Sequence, residues 1–174
     1  EQHGHLATVG YDMYCKLMEE TLREVQGQPM AMQELATRVD LKVDAFLPGD
    51  YVHDERQRME MYKRIASLRT DIEREDIEEE MIDRFGDLPA PVVNLLDIAQ
   101  LRALAQGLGV AQVIYRAKGQ LVMRLDQRYI PDPQLLTQAM MDTDKRLSLT
   151  PTQPVSLMLR DPKLGEGDML LEGV

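Results

Sequence analysis

Apolar residues recur at helical spacing through three consecutive segments in the middle of the chain. The first segment has Met59, Tyr62, Ile65 and Ala66 on its inner side, and the third repeats apolar residues from Val93 through Leu96 and Leu101 to Leu104. A densely acidic run lies between them. This spacing predicts helices at Asp54–Ser67, within Asp71–Pro89 and at Ala90–Gln106, packed as a bundle.

Strand patterns flank the three helices. Val39, Leu41, Val43 and Ala45 alternate with charged residues, which predicts an edge or half-buried strand, followed by a turn at residues 48–50. Residues 110–115 and 121–125 predict an antiparallel hairpin with Lys118-Gly119 at its tip. A helix at Pro131–Met141 and a last strand through residues 155–159 complete an α+β fold, in which a helical bundle packs with a small, mainly antiparallel sheet.

The ends of the chain have a different character. We predict a linker at residues 1–10, a helix at Tyr11–Val25 that Gly27 closes, and a loop at residues 28–37. The α+β core covers residues 38–160 of a domain spanning residues 11–160, where residues 11–27 are a connecting helix. Residues 161–174 are expected to be a flexible tail.

The acidic run predicts a helix with two unlike faces. An apolar stripe is formed by Ile77, Met81, Ile82 and Phe85. Gly86 then offers a left-handed residue after the last turn, and a proline at position 89 or 91 starts the next helix. The predicted outward face carries Asp76, Glu80, Asp83 and Asp87.

Charge is concentrated in this run. Residues 71–89 hold nine carboxylates and two arginines, a net charge of −7 within a chain of net charge −10. Gripping DNA requires clustered lysines and arginines, so we expect no direct nucleic-acid contact. Acidic helices are in general solvated surface elements, and a purely structural role stays open for this one.

Motifs for catalysis are missing from the sequence. It contains neither a G-x-x-x-x-G-K-[ST] phosphate loop nor a G-x-S-x-G nucleophile turn, and nothing near Glu79 and Glu80 supplies a nucleophile. His3 and His5 form a weak H-x-H pair in the expected tail, and His53 precedes a helix that Asp54 can cap. We therefore expect no catalytic residue, no metal site and no bound cofactor.

The remaining composition favours a reducing, aqueous compartment. Cys15 is the single cysteine, so no internal disulfide can form. No apolar run is long enough to cross a bilayer, and no secretory leader is visible, so we expect no membrane contact. The chain begins at Glu1 without an initiator methionine, which indicates a piece of a longer protein.

Several sequence blocks resemble the C-terminal domain of bacterial transcription-repair coupling factors. They read I-D-R-F-G-D-L-P at Ile82–Pro89, Y-K-R-I-A-S at Tyr62–Ser67 and G-Y-D-M-Y-C-K-L-M-E-E at Gly10–Glu20. The resemblance continues through L-L-D-I-A-Q-L-R at Leu95–Arg102 and L-G-V at Leu108–Val110. These blocks keep the family's order and cover roughly residues 5–116.

The resemblance implies a regulatory module of an ATP-driven DNA translocase in the bacterial cytoplasm. The parent protein would use ATP and Mg²⁺ in a separate motor, engage RNA polymerase and double-stranded DNA, and recruit UvrA. Residues 1–10 would leave the motor. The module would be an autoinhibitory latch that packs on the N-terminal UvrB-like module of the same chain, masks the UvrA-binding surface and restrains the motor.

The family's latch contact uses acidic residues of the I-D-R-F-G helix. By position these are Glu80 and Asp83, which would face arginines of the UvrB-like module, while Asp76 and Asp87 are weaker candidates. Carboxylates about one turn apart can accept paired hydrogen bonds from guanidinium groups. Two alternatives stay open, namely a docking module for a separate basic protein and a structural domain with a solvated acidic helix.

Overall fold

A computed structural model describes residues 37–116, 119–129, 132–144, 146–150 and 154–161. The linker, connecting helix and loop predicted for residues 1–36, and most of the predicted tail, lie outside the described residues. Within them the chain forms four helices, α1 (Glu55–Ala66), α2 (Asp71–Phe85), α3 (Ala90–Gly107) and α4 (Pro133–Asp142). The strands are β1 (Arg38–Asp40), β2 (Val110–Arg116), β3 (Gln120–Leu125), β4 (Leu147–Thr150) and β5 (Ser156–Arg160). The predicted α+β class is confirmed.

The described residues fall into two compact units. One contains residues 43–103, with α1, α2 and most of α3. The other contains residues 37–42 and the described residues from Leu104 onwards, with all five strands and α4.

Local sequence signals begin the helices of the first unit. The side chain of Asp54 accepts a hydrogen bond from the amide of Gln57 at 2.9 Å, which confirms Asp54 as the N-cap of α1. The predicted turn after Pro48 also forms, because the amide of Tyr51 donates to the carbonyl of Pro48 at 3.2 Å. The Asp54 side chain thus satisfies an amide that the first turn of the helix would leave unpaired, and the turn pairs its amide with a backbone carbonyl.

The buried face of α1 is shifted slightly from the predicted one. Tyr62, Ile65 and Ala66 are buried as expected, but Met59 is only half-buried. Met61, which the sequence pattern did not select, is fully buried. At about 100° per residue, Met59 and Met61 lie on opposite flanks of the face formed by Tyr62, Ile65 and Ala66, and periodicity alone does not decide which flank is covered.

Arg102 is buried in the first unit and joins α3 to the turn before α2. Its guanidinium donates to the carbonyls of Ala66 at 2.6 Å and Leu68 at 3.2 Å, while its Nε has no hydrogen-bond partner in the described structure. The two bonds satisfy carbonyls at the end of α1 that would otherwise be buried and unpaired. A residue from L-L-D-I-A-Q-L-R therefore helps fix the turn that leads into α2.

The second unit is built on one five-stranded sheet with the order β1-β2-β3-β5-β4. The predicted hairpin is present, since β2 and β3 pair antiparallel with Tyr115 opposite Leu121. Its turn residues 117 and 118 are not among the described residues. β5 confirms the predicted last strand and pairs antiparallel with both β3 and β4, although the sequence pattern did not predict β4.

The first strand is shorter than the alternating pattern suggested. β1 has three residues and pairs in parallel with β2, with Val39 opposite Val113. The apolar positions Leu41 and Ala45 beyond it are nevertheless buried, while Val43 is half-buried. Alternation thus predicted which side chains turn inward. It did not predict the length of the strand, because a strand also needs a neighbouring strand to pair with, and β2 pairs with this segment only as far as Asp40.

Candidate interaction surface on helix α2

A capping box starts the acidic helix at a defined residue. The Thr70 hydroxyl accepts a hydrogen bond from the amide of Glu73 at 3.2 Å, and the Glu73 carboxylate accepts from the amide of Thr70 at the same distance. The same carboxylate also accepts from the amide of Arg69 at 2.7 Å. Because acids in the first turn also interact favourably with the helix dipole, this end of α2 is well defined in spite of its charge.

The other end of α2 is held by Tyr51. Its hydroxyl lies 2.9 Å from the carbonyl oxygen of Gly86 and 3.2 Å from that of Met81, and its ring meets Phe85 edge-on with centroids 5.8 Å apart. Burial raises the pKa of the Tyr51 phenol, and the nearby negative charge of Asp87 raises it further. Gly86 has a φ of 89°, which confirms the expected need for glycine after the last turn.

The inner face of α2 is narrower than predicted. Ile77 and Met81 are buried, with exposures of 5% and 0%, and Phe85 is half-buried. Ile82, which we assigned to the apolar stripe, is 45% exposed, so that assignment is wrong. At about 100° per residue Ile82 lies 100° beyond Met81, and the contact line with the bundle is too narrow to reach it.

The sequence pattern predicted that Glu80 extends into solvent, but the structure shows that its carboxylate is paired inside the chain. It forms ion pairs with Arg64 of α1 and, at 2.6 Å, with Arg84 one turn later in α2. Hydrogen bonds from these two guanidinium groups hold the pKa of the Glu80 carboxyl below its ordinary value. Arg84 also lies over the Phe85 ring, 4.9 Å from its centroid. Glu80 therefore links α2 to α1 at the flank of the helix.

Arg74 connects α2 to α3 in a similar way. Its guanidinium pairs with Glu78 at 3.1 Å and with Asp97 of α3 at 2.6 Å, and it donates to the side chain of Gln100. The amide of Gln100 in turn donates to Asp71 at 2.7 Å. Several carboxylates of the acidic run are thus already engaged inside the bundle.

The other three predicted site residues are exposed. Asp76 and Asp83 lie on α2, while Asp87 follows Gly86 beyond the end of the helix. None of the three has an ion pair or a hydrogen bond to another side chain within the described structure. Glu80 and Asp83 are therefore neighbours along the helix, but one is held by internal arginines and the other is available to a partner.

Arg64 and Tyr51 contribute to this site, and the sequence reasoning did not select either of them. Arg64 belongs to the Y-K-R-I-A-S block that carries part of the family resemblance, and this was the one available signal. Its pairing with Glu80 could not be inferred from spacing, because the two residues lie on different helices. Tyr51 gave no periodic signal, since it lies in a turn.

The described residues contain no group of three or more His, Cys, Asp or Glu side chains arranged to hold a metal ion. The weak metal candidates His3 and His5, like Cys15, lie outside the described residues. Within the same described ranges, no helix combines the length and the apolar character needed to cross a membrane.

The fold and the charge distribution define a small α+β domain with an exposed acidic helical surface. Its sequence matches the model of the TRCF domain over residues 41–136. The chain belongs to this family, the TRCF domain of transcription-repair coupling factors.

Relatives from several bacteria support this membership. The chain is 37% identical over 75% of its length to the transcription-repair-coupling factor of Escherichia coli K12 and 32% identical over 92% of its length to that of Staphylococcus aureus USA300. It spans only 12% and 13% of these two relatives. The chain thus corresponds to one segment of much longer proteins.

A solved structure shares the fold. The crystal structure of a C-terminal domain of transcription-repair coupling factor superposes with a TM-score of 0.68 at 25% identity, covering 79% of this chain and 86% of that one. The family resemblance seen in the sequence is therefore confirmed.

Proposed function

We propose that this domain is a non-catalytic regulatory module of an ATP-dependent DNA translocase that acts in transcription-coupled repair in the bacterial cytoplasm. In this proposal it is an autoinhibitory latch that packs on the N-terminal UvrB-like module of its parent chain. The closed latch masks the UvrA-binding surface and restrains the motor. ATP, Mg²⁺, double-stranded DNA and RNA polymerase are engaged by other parts of the parent protein.

The observation that carries this proposal is the exposed position of Asp83 on a helix whose two ends are fixed. Because the capping box of Thr70 and Glu73 defines one end and Tyr51 holds the other, Asp83 occupies a well-defined position. A partner arginine can approach it without breaking an existing ion pair. Asp76, on the same exposed side of α2, offers a second carboxylate.

Exposed ion pairs suit a contact that has to open. Each is worth roughly 0.2–1 kcal/mol, and salt screens it, so a few pairs give a weak contact between separate molecules. Within one chain the partner is present at a high effective concentration, on the order of mM, which allows such a contact to remain closed. A competing partner can then open it.

Glu80 has a different role within this proposal. It is the group that keeps Arg64 and Arg84 neutralised beside the acidic surface. Removing its carboxylate would leave two unpaired guanidinium groups near the site that a basic partner approaches. Like charges across an interface disfavour association, so loss of Glu80 weakens the latch even without a direct contact.

The test is an Asp83→Ala substitution, alone and combined with Glu80→Ala, in the full-length parent protein. If the lost Asp83 pair and the arginines left unpaired without Glu80 each count as one exposed pair, the closing equilibrium shifts roughly 2- to 30-fold. We therefore expect higher ATPase activity in the absence of RNA polymerase and tighter UvrA binding. Asp83→Ala should leave the melting temperature of the domain nearly unchanged, and the added Glu80→Ala should lower it by only a few degrees, because it removes the ion pairs with Arg64 and Arg84.

The matched control is Asp50→Ala with Glu60→Ala, which removes two exposed carboxylates outside α2. It should change neither activity nor UvrA binding. A silent Glu80/Asp83 variant would identify α2 as a plain solvated surface, and unfolding of the domain would identify both residues as structural. Normal ATPase activity with loss of binding to a separate basic protein would instead favour the docking alternative.

A further inference from the structure

Two isoleucines lie among the acids on the outer side of α2. Ile72 is 71% exposed and Ile82 is 45% exposed, and they are the large apolar side chains that are most exposed within residues 43–103. With Glu75, Glu79 and Asp83 they occupy a continuous arc opposite Ile77 and Met81. We call this arc, together with Asp76, the outer face of α2.

The position of these isoleucines has no explanation within the described bundle. Isoleucine is a weaker helix former than glutamate, lysine or arginine, so helix propensity does not favour it on an exposed face. Ile72 is also not part of a hydrophobic staple, because the positions that would form one are occupied by Arg69 and Arg74. One exposed apolar residue is ordinary, but two on one face of a strongly charged helix suggest a binding surface.

The geometry of the outer face defines what can bind to it. Ile82 follows Ile72 by ten positions, which places their Cα atoms about 15 Å apart along the helix axis. Between them lie Glu75, Asp76 and Glu79, which are exposed or nearly so and have no ion pair within the described structure. The face therefore presents two apolar contacts separated by a negatively charged stretch.

Charge complementarity selects the occupant. A second copy of this chain would bring its own net charge of −10 against the same acidic face. Residues 1–36 carry six acids and only two lysine or arginine residues, so charge also disfavours their binding to the outer face of α2. Nucleic acid is disfavoured for the same reason.

We infer that the outer face of α2 binds a basic protein surface through two apolar contacts, made by Ile72 and Ile82, on either side of arginine or lysine side chains that pair with the acids between them. This inference rests on the proposed function, and it adds that the contact has an apolar component along most of the helix. The acids then determine which partner binds and how fast, while the isoleucines slow its dissociation.

The experiment measures binding of this chain to the UvrB-like N-terminal module at low and high salt. The variant is Ile72→Gln with Ile82→Gln, which keeps the helix and all charges. Removing two partly buried isoleucine contacts should weaken binding about tenfold or more. Because no charge changes, the dependence of affinity on salt should stay as in the unmodified chain.

The matched control is Leu135→Gln, because Leu135 is 69% exposed on α4, which belongs to the other compact unit. It should bind like the unmodified chain, and both it and the isoleucine variant should keep the melting temperature of that chain. The Glu80→Ala/Asp83→Ala variant should lose affinity mainly at low salt.

The binding results distinguish the electrostatic latch from the apolar contacts of Ile72 and Ile82. If the isoleucine variant binds normally while the Glu80/Asp83 variant does not, the apolar contacts are wrong and the electrostatic latch stands. If the unmodified chain does not bind the module even at mM concentration, both the latch and this inference are overturned. Weaker binding by the isoleucine variant alone, with unchanged salt dependence, supports the apolar contacts.

Discussion

Glu80 and Asp83 lie within one turn of α2, but at the scale of single residues their electrostatic environments differ. Glu80 is bound by Arg64 and Arg84, whereas Asp83 faces solvent. The distinction arises because α1 runs beside one flank of α2 and brings Arg64 to that flank. Two carboxylates within one helical turn thus have different roles. Glu80 links the helices of the bundle, and Asp83 is available for contact.

The lowered pKa of Glu80 gives a stability prediction. A carboxyl whose folded-state pKa lies below its ordinary value of 4.5 adds stability above that pH, and the contribution disappears as pH falls through the lowered pKa. At pH 7, Glu80→Gln should reduce the free energy of unfolding by about 0.2–1 kcal/mol. Urea denaturation at pH 7 and at pH 3 would show this difference shrinking in acid.

Glu60→Gln is the control for this prediction, because Glu60 is exposed on α1 and has no ion pair within the described structure. Its effect should be near zero at both pH values. A Glu80→Gln effect of the same size at pH 7 and pH 3 would show that packing, rather than the ion pairs, is responsible.

Met81 and Ile82 test the orientation of α2. Met81→Asp places an unpaired carboxylate in the core and should cost roughly 3 kcal/mol or more, whereas Ile82→Asp adds a charge at an exposed position and should change stability little. Circular dichroism during thermal unfolding measures both variants. Equal destabilisation by the two substitutions would contradict the orientation described here.

At the scale of elements, the chain changes from helix to strand over two residues after α3. Gly109 has a φ of 71°, and a Cβ atom there would lie 2.3 Å from Cγ of Tyr129. Its carbonyl also accepts a hydrogen bond from the amide of Asp126 at 2.9 Å. A side chain at this position would therefore disturb both the turn and the contact with Tyr129.

Gly109→Ala should accordingly destabilise the protein by about 1–3 kcal/mol, because it combines a strained φ with a close contact. Gly107 is the matched control, since a Cβ atom there meets nothing within 4 Å and its φ is not in the left-handed range. Gly107→Ala should be neutral or stabilise by roughly 0.4–1 kcal/mol. Urea denaturation compares the two, and similar losses from both would show that Tyr129 does not limit the site.

At the scale of the whole molecule, the proposed choice of partner depends on charge rather than on shape. The net charge of −10 is concentrated in residues 71–89, so one helix carries most of the long-range field. Such a field attracts basic proteins and repels nucleic acid, and it weakens as ionic strength rises. Some carboxylates of this segment pair with Arg64, Arg74 and Arg84 and help hold the helices together. Others, including Asp83, are available at the surface.

Much of the fold was predictable because its signals are local. Helical spacing gave α1, α2 and α3, Asp54 and Gly86 marked a beginning and an end, and the hairpin followed from alternation around residues 118 and 119. β4 was missed because its four residues offer too few positions for a pattern. The parallel pairing of β1 with β2 was missed because it joins residues more than seventy positions apart.

The sequence by itself determined the family, the α+β class, the helices and the location of the negative charge, since all of these depend on residue type and local spacing. The tertiary structure alone decided that Glu80 is bound by Arg64, that Ile82 is exposed and that Asp83 remains available. The physical reason is that burial and ion pairing between helices depend on how closely neighbouring elements pack, and periodicity along one helix does not contain that information.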